Sequence, residues 1–289
     1  MKNVHTIYSP DKRWRAEISA RHGANVTKLQ YDGNDVFVPL ESEEQLEKNP
    51  YIQGTPILLP ANRTFKGKFE FEGKTYTLPI NEPLNNAHLH GLLHKQSFDL
   101  LEITSNEICL CYENTGQIYP FPFKMKVTYS LKSNIFEQKY YIKNTGKLKM
   151  PITFALHTSF VEPEMFSVPI NSCQEKDEHH IPTGRYVLLN PQESKYSTGS
   201  ASKGIAISGY YKSCGNTAKV GNFVYKVSDN FDHWVLFNGK GESNLLCVEP
   251  QCGAVNGLNM DNGNKVINSG DTLYFSTELS DCKALLFVD

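Results

Sequence analysis

No stretch of this chain approaches the ~18 apolar residues of a membrane span, and its opening MKNVHTIYSPDKRWRAEI has no apolar core between its charges. Positive charge is not in surplus either: 29 Lys and Arg face 31 Asp and Glu, a formal net charge of −2. Nucleic acids and acidic membranes are held by an excess of cations. The composition therefore points away from both partners, and toward something uncharged or small. Arginine is scarce, with Arg13, Arg15, Arg21, Arg63 and Arg185 as the full set. That disfavours a phosphate-bearing ligand, since the guanidinium fork is the group that best matches phosphate geometry. The seven cysteines are odd in number and lack repeated spacing, which suits reduced thiols better than a disulfide framework. A cytoplasmic protein is expected.

Long helices are also missing. The best helix signal is the capping-box pattern Ser42-Glu43-Glu44-Gln45, which Pro50 stops after about two turns. What dominates is alternation with a period of two. In KGKFEFEGKTYTL, Phe69 and Phe71 alternate with charges, Glu72-Gly73-Lys74 turns, and Tyr76 and Leu78 resume. The apolar side of the next region runs Phe123, Met125, Val127, Tyr129, Leu131, breaks at Ser133-Asn134 and continues through Phe136, Tyr140 and Ile142; Ile108, Leu110 and Tyr112 form another strand. Many short strands and no helix of βαβ length predict an all-β antiparallel sandwich or barrel. At 289 residues, one domain spanning residues 1–289 is permitted. The polar segment Ser172 to Thr198 reads as a long excursion from the sheets. Its Glu175, Asp177, Glu178, His179 and His180 read as a solvated loop, because their order suggests no defined ligand geometry.

Four segments carry candidate chemistry. Asn85 to His94 holds His88, His90 and His94 within seven positions. If extended, it would turn His88 and His90 to one face, as a cupin-like metal site requires. The second half of such a site is missing, since Pro182-Thr183-Gly184-Arg185-Tyr186-Val187 lacks the histidine. Pro151 to His157 alternates, with Ile152, Phe154 and Leu156 on one face and Thr153, Ala155 and His157 on the other. A face of small residues ending in His157 has room for a ligand, or for a loop that hydrogen-bonds the ring. In Asn230 to Asn238 the alternation groups Asp232, Trp234 and Asn238. These suit a sugar's hydroxyls and C–H face, or a strand with one wet side. Glu249 ends the apolar run Leu245-Leu246-Cys247-Val248, and Pro250 biases it toward extended geometry. Burial there would raise its pKa toward that of a general base; a strand end in solvent would not.

Taken in order, these segments resemble the aldose 1-epimerase (galactose mutarotase) family. The resemblance runs from Gly23-Ala24-Asn25-Val26-Thr27-Lys28-Leu29 through Pro56-Ile57-Leu58-Leu59-Pro60-Ala61-Asn62-Arg63, Leu89-His90-Gly91, His157 and Asp232 to Glu249-Pro250, nearly the whole chain. It implies a large antiparallel β-sandwich with few short helices, and a monosaccharide bound without metal or other cofactor. By resemblance, Glu249 is the general base and His157 the general acid of anomer interconversion. His90, Arg63 and Asp232 bind or orient the sugar, with Asn62 beside them. Trp234, as a stacking surface, rests on strand alternation alone. Leu-His-Gly-Leu and Leu156-His157-Thr158-Ser159-Phe160 depart from the commonest motifs, which resembles the divergent branch acting on other aldoses or hexose 6-phosphates. A non-catalytic sugar binder on the same fold is a further alternative, disfavoured by the presence of both Glu249 and His157. A monomer or homodimer is expected.

Overall fold

The computed structural model describes residues 4–282. Its centre is two eight-stranded antiparallel sheets. In one, Glu107–Asn114, Phe123–Leu131, Ile135–Asn144 and Thr272–Asp281 follow one another as neighbours. Phe123, Met125, Val127, Tyr129 and Leu131 turn inward, as their spacing predicts, and all are fully buried. The register sets Val127 opposite Tyr140 and Met125 opposite Ile142, so the inward faces of adjacent strands coincide.

The second sheet has the order Pro182–Leu188, Ile170–Lys176, Ser208–Ser213, His233–Phe237, Leu245–Cys252, Phe154–Leu156, Ile57–Leu58, and its eighth strand, Ser159–Val161, also pairs with Leu245–Cys252. One of its faces packs on the first sheet through aromatic rings. The Phe154 ring lies 4.5 Å from Phe275 and 5.4 Å from Tyr140, and Trp234 stands edge-on to Tyr225 at 6.1 Å. Burying one such side chain contributes ~1.5–3 kcal/mol, against ~0.5–1.5 kcal/mol net for a hydrogen bond. The aromatic seam is therefore the main tie between the sheets. A four-stranded sheet formed by Val4–Tyr8, Trp14–Ser19, Asn25–Tyr31 and Asn34–Asp35 adds Trp14, Ile18, Val26 and Leu29 to the same core.

The expected hairpin is present as Lys68–Phe71 paired with Lys74–Thr77. The short helix spans Glu43–Lys48 and ends before Pro50; Gln45 Oε1 accepts from the Ser42 backbone N–H at 3.2 Å. The segment 172–198 is not an excursion. It supplies most of two strands and the helix Pro191–Thr198, whose Asn190 cap accepts from the N–H groups of Gln192 and Glu193. The Pro182–Leu188 strand lies at the sheet edge and is exposed at every residue after Pro182. An edge strand with two wet faces carries no apolar alternation, so its sequence reads like a loop.

Candidate active site

The site lies on the face of the second sheet turned away from the aromatic seam. Antiparallel pairing sets Tyr210 opposite Val235, and Val235 opposite Glu249, so these three side chains line up across adjacent strands. His157 follows the Phe154–Leu156 strand, and its backbone N–H donates to Pro56 O at 2.9 Å. This anchors the ring on Glu249's side of the sheet, where Nε2 lies 3.4 Å from Glu249 Oε1.

The loops before and after the short strand Arg63–Phe65 close over these groups. Arg63 sits opposite Leu89 in the pairing with Ala87–Leu89, and the His90 N–H donates to Asn62 O at 2.8 Å. Asn62, His90 and Gly91 all have positive φ, at 54°, 61° and 67°. At Gly91 a Cβ would stand 2.0 Å from the Leu59 carbonyl oxygen, so a side chain has no room. The resulting cavity of about 250 Å³ is lined by Asn62, Arg63, His90, His157, Tyr210 and Glu249, with Tyr51 and His180 at its edges.

Arg63 is fully engaged. Its Nε and Nη2 donate to Glu82 at 2.7 and 2.6 Å, and its Nη1 donates to the Tyr210 hydroxyl at 2.7 Å. The acid and base candidates are different. Glu249 is 1 % and His157 5 % exposed, and burial favours the uncharged form of each. It pushes the Glu249 carboxyl well above its usual range, against the pull of Arg63, and pushes the His157 imidazole down to about 4. His90 is also lowered, by burial and then by the neighbouring His157 and Arg63. Glu249 Oε2, His157 Nδ1 and His90 Nδ1 are buried without a hydrogen-bond partner among the described residues. An unsatisfied buried polar group costs ~1–3 kcal/mol, which a hydroxyl-rich ligand would recover.

Two expected members lie elsewhere. Trp234 is buried in the inter-sheet core and its Nε1 donates to Ser213 Oγ at 3.2 Å. The register explains the error: with Val235 opposite Glu249, the site face carries residues 233, 235 and 237, and Trp234 must point the other way. Asp232 does not line the cavity. It accepts from His233 Nδ1 and the Gly253 N–H, both at 2.8 Å, and from Lys212 Nζ at 3.2 Å. Burial works against its charge, yet the bonds from His233 and Gly253 hold its carboxyl below the usual range.

The imagined face of His88 and His90 does not form. The strand ends at Leu89, and His88 Nδ1 is 2.7 Å from Pro79 O. Among the described residues, the one group with metal-ligand spacing is His157, Cys247 and Glu249. In the Glu175 to His180 turn, Glu175 Oε2 accepts from Thr183 and Arg185, and Asp177 Oδ1 from the N–H groups of His179 and Ile181. Tyr51, Glu82, His180 and Tyr210 were not predictable as site residues. Each sits in a loop or strand whose neighbours give no sign of the cavity; the face that Tyr210 shares with Val235 and Glu249 was the one available clue, and it required the pairing register.

Comparison with known proteins agrees with this geometry. The profile of the aldose 1-epimerase family matches residues 8–280. The chain is 28 % identical over 183 residues to rat galactose mutarotase, covering 56 % of this chain and 52 % of that one. It is 28 % identical over 170 residues to the Escherichia coli protein YihR, covering 56 % and 54 %. The match thus spans about half the length of these curated relatives. In three dimensions it resembles a galactose mutarotase-like protein from Clostridium acetobutylicum, with a TM-score of 0.86 at 21 % identity over 92 % of each chain. An aldose epimerase homologue from C. elegans superposes with a TM-score of 0.80 at 15 % identity, over 96 % of this chain and 98 % of that one. With a buried carboxyl–imidazole pair at the floor of a small polar cavity, and a family profile that runs almost end to end, the chain belongs to the aldose 1-epimerase family.

Proposed function

We propose that the protein interconverts the α and β anomers of a neutral monosaccharide, with Glu249 as general base and His157 as general acid. The observation that carries this reading is the buried pair, 3.4 Å apart, in which both groups keep an unpartnered polar atom. The pair holds one proton in either of two forms, carboxylic acid with neutral imidazole or carboxylate with imidazolium. Burial favours the uncharged form at rest. A shift of that proton across the gap creates the base and the acid together.

Glu249 then takes the proton of the anomeric hydroxyl while the C1–O5 bond breaks and His157 gives its proton to O5. The aldehyde rotates about C1–C2, and O5 attacks the other face of C1. Its proton returns to His157, and Glu249 returns its own to the former carbonyl oxygen. No proton is gained or lost from solvent in the cycle. His90 and Asn62 hold the ring or a neighbouring hydroxyl. Arg63, fixed by Glu82, orients Tyr210 and moderates the charge that develops on Glu249. A neutral sugar is supported over a phosphorylated one because the cavity's single arginine has both arms of its fork committed to Glu82.

The test is polarimetry or NMR exchange on freshly dissolved α-glucose and α-galactose, with the uncatalysed rate subtracted. Positioned proton transfer contributes ~10²–10⁴ in rate, so Glu249→Gln should lose at least about two decades. Acceleration that survives the substitution would remove Glu249 as the base, and none on these sugars, on pentoses or on hexose 6-phosphates would overturn the reading in favour of sugar binding alone.

A further inference from the structure

Beside the acid–base pair stands a thiol that the proton transfer does not use. Cys247 lies two residues before Glu249 on the Leu245–Cys252 strand, opposite Phe237, so alternation turns its side chain to the face that carries Glu249 and Val235. It is fully buried, lies outside the cavity lining, and has its Sγ 3.3 Å from Ser159 Oγ. One ligand atom each of His157, Cys247 and Glu249 lies within 4.8 Å of the other two. The donors are nitrogen, sulfur and oxygen, the set found around zinc. Two of the three residues also keep an unpartnered buried atom, Glu249 Oε2 and His157 Nδ1.

The spacing fits a tetrahedral cation. With zinc bonds of ~2.0–2.1 Å to nitrogen and oxygen, the N–O edge of the tetrahedron is about 3.4 Å, and His157 Nε2 is 3.4 Å from Glu249 Oε1. With a zinc–sulfur bond of ~2.3 Å the edges to sulfur are about 3.5–3.6 Å, so Cys247 completes the set by closing at most about 1.3 Å from the 4.8 Å limit. Ser159 Oγ is placed to donate to the resulting thiolate, the kind of outer contact that steadies a ligand. Thiolate and carboxylate bring two negative charges and a neutral imidazole none, so a divalent cation leaves a buried group of zero net charge. Binding releases two protons, one from the thiol and one from the Glu249–His157 pair. Sulfur selects against Mg²⁺ and Ca²⁺, which take oxygen ligands. His157 and Glu249 line the sugar cavity, which leaves the fourth position open from that side. We propose that His157, Cys247 and Glu249 form an inhibitory site for zinc, which enters through the sugar cavity, occupies acid and base together, and excludes the sugar.

The inhibition rests on the epimerase reading above; the binding does not. The experiment measures anomerisation of α-glucose by protein freed of metal with EDTA, at graded zinc chloride in a non-chelating buffer. Zinc should raise KM with kcat unchanged, EDTA should restore the rate, and Mg²⁺ at the same concentrations should have no effect. Cys247→Ala should keep glucose turnover within a few-fold of wild type. It should raise the zinc inhibition constant at least about tenfold, since losing even an outer contact to a ligand costs ~10–100-fold in metal affinity. Cys247→Ser, which keeps the side chain's volume, gives the same comparison if the alanine variant does not fold. Cobalt(II) titration supplies a readout without turnover: a thiolate ligand gives a near-ultraviolet charge-transfer band, expected in the wild type and absent from both variants. This separates the site from the exposed Cys214 and the half-buried Cys173 and Cys282, which both variants retain. If glucose is epimerised and zinc does not slow it, or slows wild type and variants alike, the metal site is overturned and the epimerase reading stands. If no sugar is epimerised, the catalytic reading falls and the cobalt spectrum alone decides the site: no band in the wild type, or one unchanged in the variants, sinks it.

Discussion

Glu249 and Asp232 belong to the same pair of strands, Glu249 opposite Val235 and Asp232 just before His233, yet their surroundings are opposite in kind. Around Asp232, the carboxylate is satisfied by His233, Lys212 and the Gly253 N–H, and its side chain is 37 % exposed. Around Glu249, the carboxyl is 1 % exposed, Oε2 has no partner, and the nearest ionisable contact is His157. A satisfied carboxylate has little to gain from a proton or a ligand. An unsatisfied buried one gains from both, which is why structural strain of this kind gathers at functional sites. The largest expected effect is a direct break of that contrast. In the anomerisation assay, Glu249→Gln loses at least about a hundredfold. Asp232→Asn leaves the sugar site intact and stays within several-fold of wild type. A loss at Asp232 equal to that at Glu249 would make the two carboxylates a working pair and the contrast false.

The pH dependence sharpens the same comparison. In the proposed mechanism the Glu249–His157 pair holds one proton, and a second adds where burial has placed His157, at about 4. kcat/KM is therefore expected to stay level from neutrality down to mildly acidic pH and to fall only near about 4. An ordinary exposed histidine would give an acid limb near 6.5. A limb there in the measured profile would place His157 in water and remove the case for a buried pair.

Much of this architecture was legible in the sequence. The strands at 107–144 announce themselves because one face is buried and the other is wet over most of their length, and alternation records that difference. The Leu245–Cys252 strand shows no such pattern, since all eight of its residues are buried. Periodicity could not say which residues faced the site. Glu249 and His157 were found through motif resemblance, and the structure brings them together. Trp234 was assigned by alternation with the wrong parity, because parity is fixed by pairing with a neighbour strand and not by the strand itself. Glu82 and Tyr210 were invisible for a related reason: the two sides of Arg63 meet across sequence separations of 19 and 147 residues.

The stability of the Glu249 variant is a smaller effect with a definite sign. Burial raises this carboxyl's pKa above its unfolded value, so the folded state binds more protons than the unfolded one as pH rises past the unfolded pKa near ~4.3. Stability from the bound proton is complete below that pH and declines above it. Glutamine removes the linkage. Thermal melts should show Glu249→Gln above wild type by a few degrees at pH 8, about 1 kcal/mol corresponding to ~2–4 °C, with the gap shrinking at pH 5. A variant less stable than wild type at pH 8 would mean that the carboxylate is solvated in the resting site.

The smallest expected effect on function belongs to Trp234. Its ring packs edge-on to Tyr225 in the core, and its N–H is satisfied by Ser213. Trp234→Phe removes one hydrogen bond and part of a ring from a filled space, a cost of ~1–3 kcal/mol in unfolding free energy. Because the indole points away from Val235 and Glu249, the KM for the sugar should not change. Chemical denaturation and steady-state kinetics on the same preparation separate the two quantities. A KM raised several-fold with stability intact would return Trp234 to the sugar and reverse the facing of the whole His233–Phe237 strand. Since Val235 is paired with Glu249, that result would also turn Glu249 out of the cavity, so a conservative substitution in the core tests the placement of the base itself.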